Sequence, residues 1–96
     1  MLLKNLIKEI PKDRKNILIA GISANSHDVK KNFIFFAIKG KKKNGEDFIN
    51  NAIEKGATVI ICSKRCNFKN KNILIIKKKN VRDFFSKVAS NFYRLK

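Results

Sequence analysis

Cysteine, histidine and acidic side chains are all scarce in this chain, which has two cysteines, one histidine and 7 Asp or Glu among 96 residues. Cys62 and Cys66 stand at C-x-x-x-C with no second pair, and only His27 could join them. That is too few ligands for a tetrahedral zinc site, and small secreted domains held by disulfides carry more cysteines. Reduced, structural thiols in a cytoplasmic protein are the expectation. No segment approaches the ~18 consecutive apolar residues of a membrane helix. The opening MLLKNLIKEI sets Lys4, Lys8 and Glu9 inside its apolar pattern and offers no small-residue cleavage site. It reads as an amphipathic helix, not a signal peptide.

Positive charge is what the chain has in excess: 23 Lys and Arg against 7 Asp and Glu, a net +16. Clustered cations displace counterions from a phosphate backbone, so a small basic nucleic-acid-binding domain is one reading. Composition supplies another. Nineteen of the 23 basic residues are lysine, and Lys, Ile, Asn and Phe fill 53 of the 96 positions. Those are the residues that A+T-rich codons specify. The basic residues are scattered along the chain, and arginine, the usual bidentate reader of bases, occurs four times. No specific nucleic-acid partner is expected.

Apolar periodicity divides the chain into alternating elements. Residues 2–10 put Leu2, Leu3, Leu6, Ile7 and Ile10 on one helical face, ended by Pro11. Residues 16–22, 34–38, 58–62 and 73–76 are short apolar runs rich in β-branched side chains, the mark of buried strands. Residues 47–55 fit a helix with Phe48, Ile49, Ala52 and Ile53 inward and Gly56 as its C-cap. Residues 80–95 fit a longer one, with Val81, Phe84, Phe85, Val88, Ala89 and Phe92 on one face. Asn80 is a good N-cap there, and Asp83 echoes a capping box. Strands without polar alternation, separated by amphipathic helices, predict an α/β fold with a mostly parallel four-stranded sheet flanked by helices. Residues 1–96 are expected to be a single domain, undivided by repeat or linker.

Ligands of such sheets sit outside the carboxyl ends of the strands. Two polar loops leave those ends, residues 23–33 and 40–45. Either they are ordinary solvated loops or they share a small-molecule site. Gly40 and Gly45 have the spacing of a phosphate-binding P-loop, but Glu46 and Asp47 follow where that loop needs a lysine and a hydroxyl. Two carboxylates would repel the phosphates and supply neither the lysine nor the hydroxyl, so this loop is not an ATP site. His27 has no evident nucleophile or orienting group for general-base work.

The stretch ISANSHDVKKNFIFFAIKG, residues 22–40, then Asn44-Gly45, Phe48-Ile49, Ala52-Ile53 and Gly56-Ala57, resembles the N-terminal domain of a Mur ligase. The family pattern is roughly D-S-R-x-V-x-P-G-D-L-F-x-A-x-x-G, followed by D, G, x-x-F and A-I-x-x-G-A. The MurE type, UDP-N-acetylmuramoyl-tripeptide synthetase, is the most similar. Asn80-Val81-Arg82 with Ala89, Phe92 and Tyr93 resembles the closing helix of that type. The similarity covers the whole chain, with register kept from Asn25 to Ala57.

The resemblance implies a part in peptidoglycan precursor synthesis. In that family ATP phosphorylates the carboxylate of a UDP-N-acetylmuramoyl peptide, and an amine attacks the acyl phosphate to form an amide. The first domain holds the uridine end of the precursor. ATP and magnesium belong to a central domain with a T-G-T-N-G-K-[ST] loop, and a third domain helps bind the incoming amino acid. Neither of those domains is expected in this segment, which by itself should hold no cofactor and be inactive. Carried over by position, Ser26 matches a serine that hydrogen-bonds uracil, and Ala24 flanks the base. Lys41, Lys42, Lys43 and Asn44 fill the nucleotide-contacting loop, mainly through main chain. The three lysines are either a solvated face or, for one of them, a point charge reaching the diphosphate. Asn25 and His27 stand where the family has Asp and Arg, Asn32 where it has the turn glycine, and Phe33 where it has an acidic residue.

Overall fold

FIFF and VIICS are uncharged, rich in bulky side chains, and bounded by polar residues. Both become central strands. In the computed structural model, which describes residues 1–95, the strands are β1 (Gly21–Ser23), β2 (Phe33–Phe36), β3 (Val59–Ser63) and β4 (Leu74–Lys78). They form one four-stranded sheet in the order β1-β2-β3-β4, and every pairing is parallel. The registers Ile22↔Ile34, Ile34↔Val59 and Val59↔Leu74 stack apolar residues across the sheet.

Side chains alternate between the two faces of a strand, and both faces are covered. Ile34, Phe36, Val59 and Ile61 pack with Leu3, Leu6, Ile7, Val88 and Phe92 on one face. Phe35, Ile60 and Cys62 pack with Val29, Ile49, Ala52 and Cys66 on the other. Helix α2 (Val81–Leu95) covers the first face, and the short α1 (Ile49–Glu54) covers the second. Each buried large apolar side chain contributes about 1.5–3 kcal/mol, so these two layers dominate the stability. The α/β class and the parallel sheet agree with the sequence reading.

Several expected elements are shorter or different. The apolar spacing of residues 2–10 yields only a 3-10 turn, Leu3–Asn5, with no side chain capping it at Leu2. Nine residues without a cap are too few for a stable helix, and the backbone finds partners elsewhere. Leu3 N–H donates to Ile17 O at 2.9 Å, Lys4 N–H to Lys15 O at 3.1 Å, and Leu2 bridges Leu18 antiparallel. The expected strand over residues 16–22 is consequently strand only from Gly21, and Leu18 is 62 % exposed. No helix lies between β1 and β2 or between β3 and β4; a 3-10 turn, Ser26–Asp28, and loops do that covering. The helix expected over residues 47–55 begins as a 3-10 turn, Gly45–Phe48, and becomes α1 at Ile49.

The turn positions follow their residue types. Asn32 has φ 65°, the left-handed region that asparagine enters readily. Gly56 ends α1 at φ 118°, and a Cβ there would lie 2.5 Å from Lys31 Cα. Asn32 N–H donates to Gly56 O at 2.8 Å. The two turns therefore lock the start of β2 to the end of α1.

Among the described residues one buried polar side-chain atom is unsatisfied: Thr58 Oγ1, at the entry to β3, has no hydrogen-bond partner. An orphaned hydroxyl costs roughly 1–3 kcal/mol. Thr58→Val keeps the β-branched shape and should raise stability by about 1 kcal/mol, or ~4–8 °C in Tm for a domain of this size. Thermal unfolding checks it; an unchanged or lower Tm would mean that the hydroxyl is already satisfied.

Candidate functional site

The carboxyl ends of β1 and β2 open onto a cleft of about 400 Å³. That volume falls in the range of small-molecule sites. One wall follows β1. Ser23 Oγ donates to Asn25 O at 2.9 Å and accepts from Asn25 N–H at 2.9 Å, folding the chain sharply after the strand. Asn25 Oδ1 then accepts from His27 N–H at 2.9 Å and caps the turn Ser26–Asp28. Asparagine and aspartate are interchangeable in that capping task. Asn25 therefore holds this turn as an aspartate would. Ser26 is buried, at 6 % exposure, and lines the cleft with Ala24, Asn25 and His27. Within the described residues its hydroxyl takes part in no hydrogen bond to protein.

The opposite wall is a tight hairpin after β2. Gly45 N–H donates to Ile38 O at 2.9 Å, Gly40 N–H to Lys43 O at 2.7 Å, and Lys39 bridges Asn44 antiparallel. A Cβ at Gly45 would fall 2.6 Å from Ile38 N and 2.8 Å from Ile38 O. Glycine is required there because two backbones meet. The hairpin turns Lys43 toward the cleft, where its Nζ lies 5.9 Å from the Phe48 ring centroid. Lys41 and Lys42 are exposed at its tip and do not line the cleft. Asn44 does not line it either: its Oδ1 accepts from Glu46 N–H at 3.0 Å and caps the turn Gly45–Phe48.

Of the six residues singled out from sequence, the fold brings Ala24, Ser26 and Lys43 to the cleft and places Lys41, Lys42 and Asn44 in the supporting hairpin. Phe35, Ile38 and Phe48 supply the apolar lining. Arg82, from the first turn of α2, also reaches it. No periodicity marks that arginine, because α2 and the loop after β1 meet only in three dimensions. His27 lines the cleft too, but no carboxylate or carbonyl orients its imidazole among the described residues.

The cysteines lie elsewhere. Cys62 and Cys66 are free and buried under α1. Burial first, then the neighbouring Cys66 as hydrogen-bond partner and charge, and Glu46, push the Cys62 thiol up to about 12. A thiol held that high stays protonated at neutral pH and is a poor nucleophile.

A sequence profile described as the Mur ligase family, catalytic domain, matches residues 18–93. The chain belongs to the Mur ligase family. Its curated relatives are of the MurE type. The UDP-N-acetylmuramoyl-L-alanyl-D-glutamate–2,6-diaminopimelate ligase of Clostridium tetani is 42% identical over 99 residues, covering 97% of this chain and 20% of that protein. The UDP-N-acetylmuramyl-tripeptide synthetase of Borrelia garinii is 37% identical over 92 residues, covering 94% and 18%. Among solved structures, the MurF ligase of Thermotoga maritima in complex with ADP superposes with a TM-score of 0.63 at 32% identity, over 78% of this chain and 17% of that one. MurF from Acinetobacter baumannii, at 17% identity and a TM-score of 0.66 over 92% of this chain and 18% of that one, shows the shared fold. This Mur ligase chain spans about a fifth of the length of the curated relatives it matches.

The Gly40–Gly45 hairpin does not have the form of a phosphate-binding loop. The Gly40–Gly45 hairpin is closed by its own backbone bonds, and the Glu46 carboxylate accepts Ser63 N–H at 3.1 Å. Among the described residues no three His, Cys, Asp or Glu converge as metal ligands, and no helix is long and apolar enough to cross a membrane.

Proposed function

We propose that this chain is the precursor-binding N-terminal domain of a MurE-type ligase. It holds the uridine end of a UDP-N-acetylmuramoyl peptide while the third peptide residue is added by ATP-dependent amide formation. The observation that carries the reading is the cleft itself: an open serine hydroxyl on a capped turn faces a glycine hairpin across a partly apolar space. A pyrimidine base needs an apolar or aromatic surface for its ring and hydrogen-bonding groups at its edge, and this cleft has both. Ser26 contacts the uracil and Ala24 flanks it. Lys41, Lys42, Lys43 and Asn44 present the hairpin main chain. ATP and magnesium are then bound by a central domain of the same polypeptide, in the cytoplasm where the precursor is made.

Replacing Ser26 tests the assignment. One lost neutral hydrogen bond costs about 0.5–1.5 kcal/mol, or up to ~3 when a buried partner stays unsatisfied. Ser26→Ala should weaken uridine binding by a few-fold to about a hundredfold, with the fold intact because the hydroxyl carries no core packing. Amide NMR shifts on uridine titration should cluster at residues 24–27 and 40–45. Unchanged affinity in Ser26→Ala, or shifts far from both loops, would reject the site.

A further inference from the structure

Glu46 is one of 7 acidic residues in a chain with 23 basic ones, yet among the described residues no lysine or arginine pairs with it. Its carboxylate takes a backbone partner instead. Oε2 accepts Ser63 N–H at 3.1 Å, across 17 residues of chain. Ser63 is the last residue of β3, two beyond Ile61, where the pairing with β2 ends at Phe36↔Ile61. Ala37 N–H still donates to Ile61 O at 2.8 Å, and the chain then turns away into the hairpin. A half-buried N–H left at a strand end needs another acceptor. Glu46 supplies it, reaching back to β3 from the foot of the hairpin.

The other bonds of the hairpin are local. Gly45 N–H to Ile38 O at 2.9 Å, Gly40 N–H to Lys43 O at 2.7 Å and the Lys39–Asn44 bridge join neighbours to one another. Asn44 Oδ1, accepting Glu46 N–H at 3.0 Å, sets the direction in which the chain leaves it. These bonds give the hairpin its shape but not its place. Among the described residues, the Glu46–Ser63 bond is the one hydrogen bond that carries residues 39–46 to another strand. An ionised acceptor makes it stronger than a neutral bond of the same geometry. Gly45 on one side of Glu46 and Phe48 on the other both line the cleft, whereas Glu46 itself does not. Whatever moves Glu46 therefore moves the wall that faces Ser26.

We propose that Glu46 is a positioning residue for base recognition: its bond to Ser63 holds the hairpin wall, with Gly45 and Phe48, in place across the cleft from Ser26. The inference rests on the uridine reading above and adds to it a residue that does not touch the ligand.

The test measures uridine affinity by NMR titration of the chain, in wild type, Glu46→Ala, Glu46→Gln and Glu46→Asp, below the unfolding transition of each. Hydrogen exchange of the Ser63 amide and the ligand-free amide shifts of residues 40–45 are recorded alongside. Glu46→Ala should weaken uridine binding about tenfold, speed Ser63 exchange about tenfold or more, and displace the hairpin shifts before any ligand is added. Glu46→Gln keeps the reach and an accepting oxygen, so it should recover most of the affinity and of the protection. Glu46→Asp keeps the charge but is one methylene shorter, so it should resemble Glu46→Ala. The opposite order, with Glu46→Asp like wild type and Glu46→Gln like Glu46→Ala, would make charge the cause and overturn the proposal. Uridine affinity unchanged in Glu46→Ala, even with a lowered Tm, also overturns it and leaves the uridine site standing. Wild type that binds no uridine at the cleft overturns both.

Discussion

Phe36→Ala should destabilise the chain by about 3–5 kcal/mol, the usual cost of emptying a buried phenylalanine site. Phe36 is 0 % exposed and belongs to the core between the sheet and α2. Its ring is the surface on which Phe84 and Phe85 rest. Removing it leaves a cavity under the first turn of α2, and two aromatic neighbours cannot both collapse into it. For a domain of this size the loss corresponds to a fall of more than about 12 °C in Tm. Urea or thermal unfolding checks this, and a fall under ~4 °C would show that α2 repacks freely.

Gly45→Ala should act on the cleft more than on the core. Its new Cβ would lie 2.6 Å from Ile38 N, 2.8 Å from Ile38 O and 2.9 Å from Ala37 C, all backbone atoms. Nothing there can rotate away, so the hairpin must shift and its Gly45-to-Ile38 hydrogen bond must stretch or break. Overpacking of this kind costs roughly 1–3 kcal/mol. If the strain is relieved by moving the hairpin, uridine binding should fall about tenfold or more, with the far-UV circular dichroism unchanged. Gly40→Ala is the control. Its closest contact would be Lys43 O at 3.1 Å, a clash that a small adjustment removes, so binding should change by less than about threefold. Equal effects of the two substitutions would mean that the hairpin geometry does not shape the site.

Elements governed by local pattern were legible without coordinates. The closing helix was expected over residues 80–95 and is α2, because six apolar residues at helical spacing, an asparagine cap and fifteen residues of length agree on one answer. The apolar runs around Ile34 and Ile60 have no polar alternation, and only a strand covered on both faces accommodates that. Gly56 was expected as a helix C-cap and has the positive φ that such a cap uses, and Asn32, matched to the turn glycine of the family pattern, is left-handed too. The hairpin between Gly40 and Gly45, and the serine opposite it, came from matching spacing to a family pattern.

Contacts between distant segments were beyond local pattern. Residues 2–10 have helical spacing, yet their backbone bonds to residues 15–19 instead. A short uncapped helix is marginal, so tertiary pairing decides its form. In the hairpin, sequence cannot separate Lys43, which turns to the cleft, from Lys41 and Lys42, which face solvent at the tip. Nor does it show that Asn44 spends its side chain on a cap. The sequence by itself determined the class of fold, its two layers of core and the loops that open at the strand ends, since apolar period and turn chemistry are properties of neighbouring residues. The tertiary structure alone decided that Arg82 meets Ser26 and Lys43 in one cleft. That meeting depends on Phe84 and Phe85 packing on Phe36, a contact across some fifty residues of chain that no local period encodes.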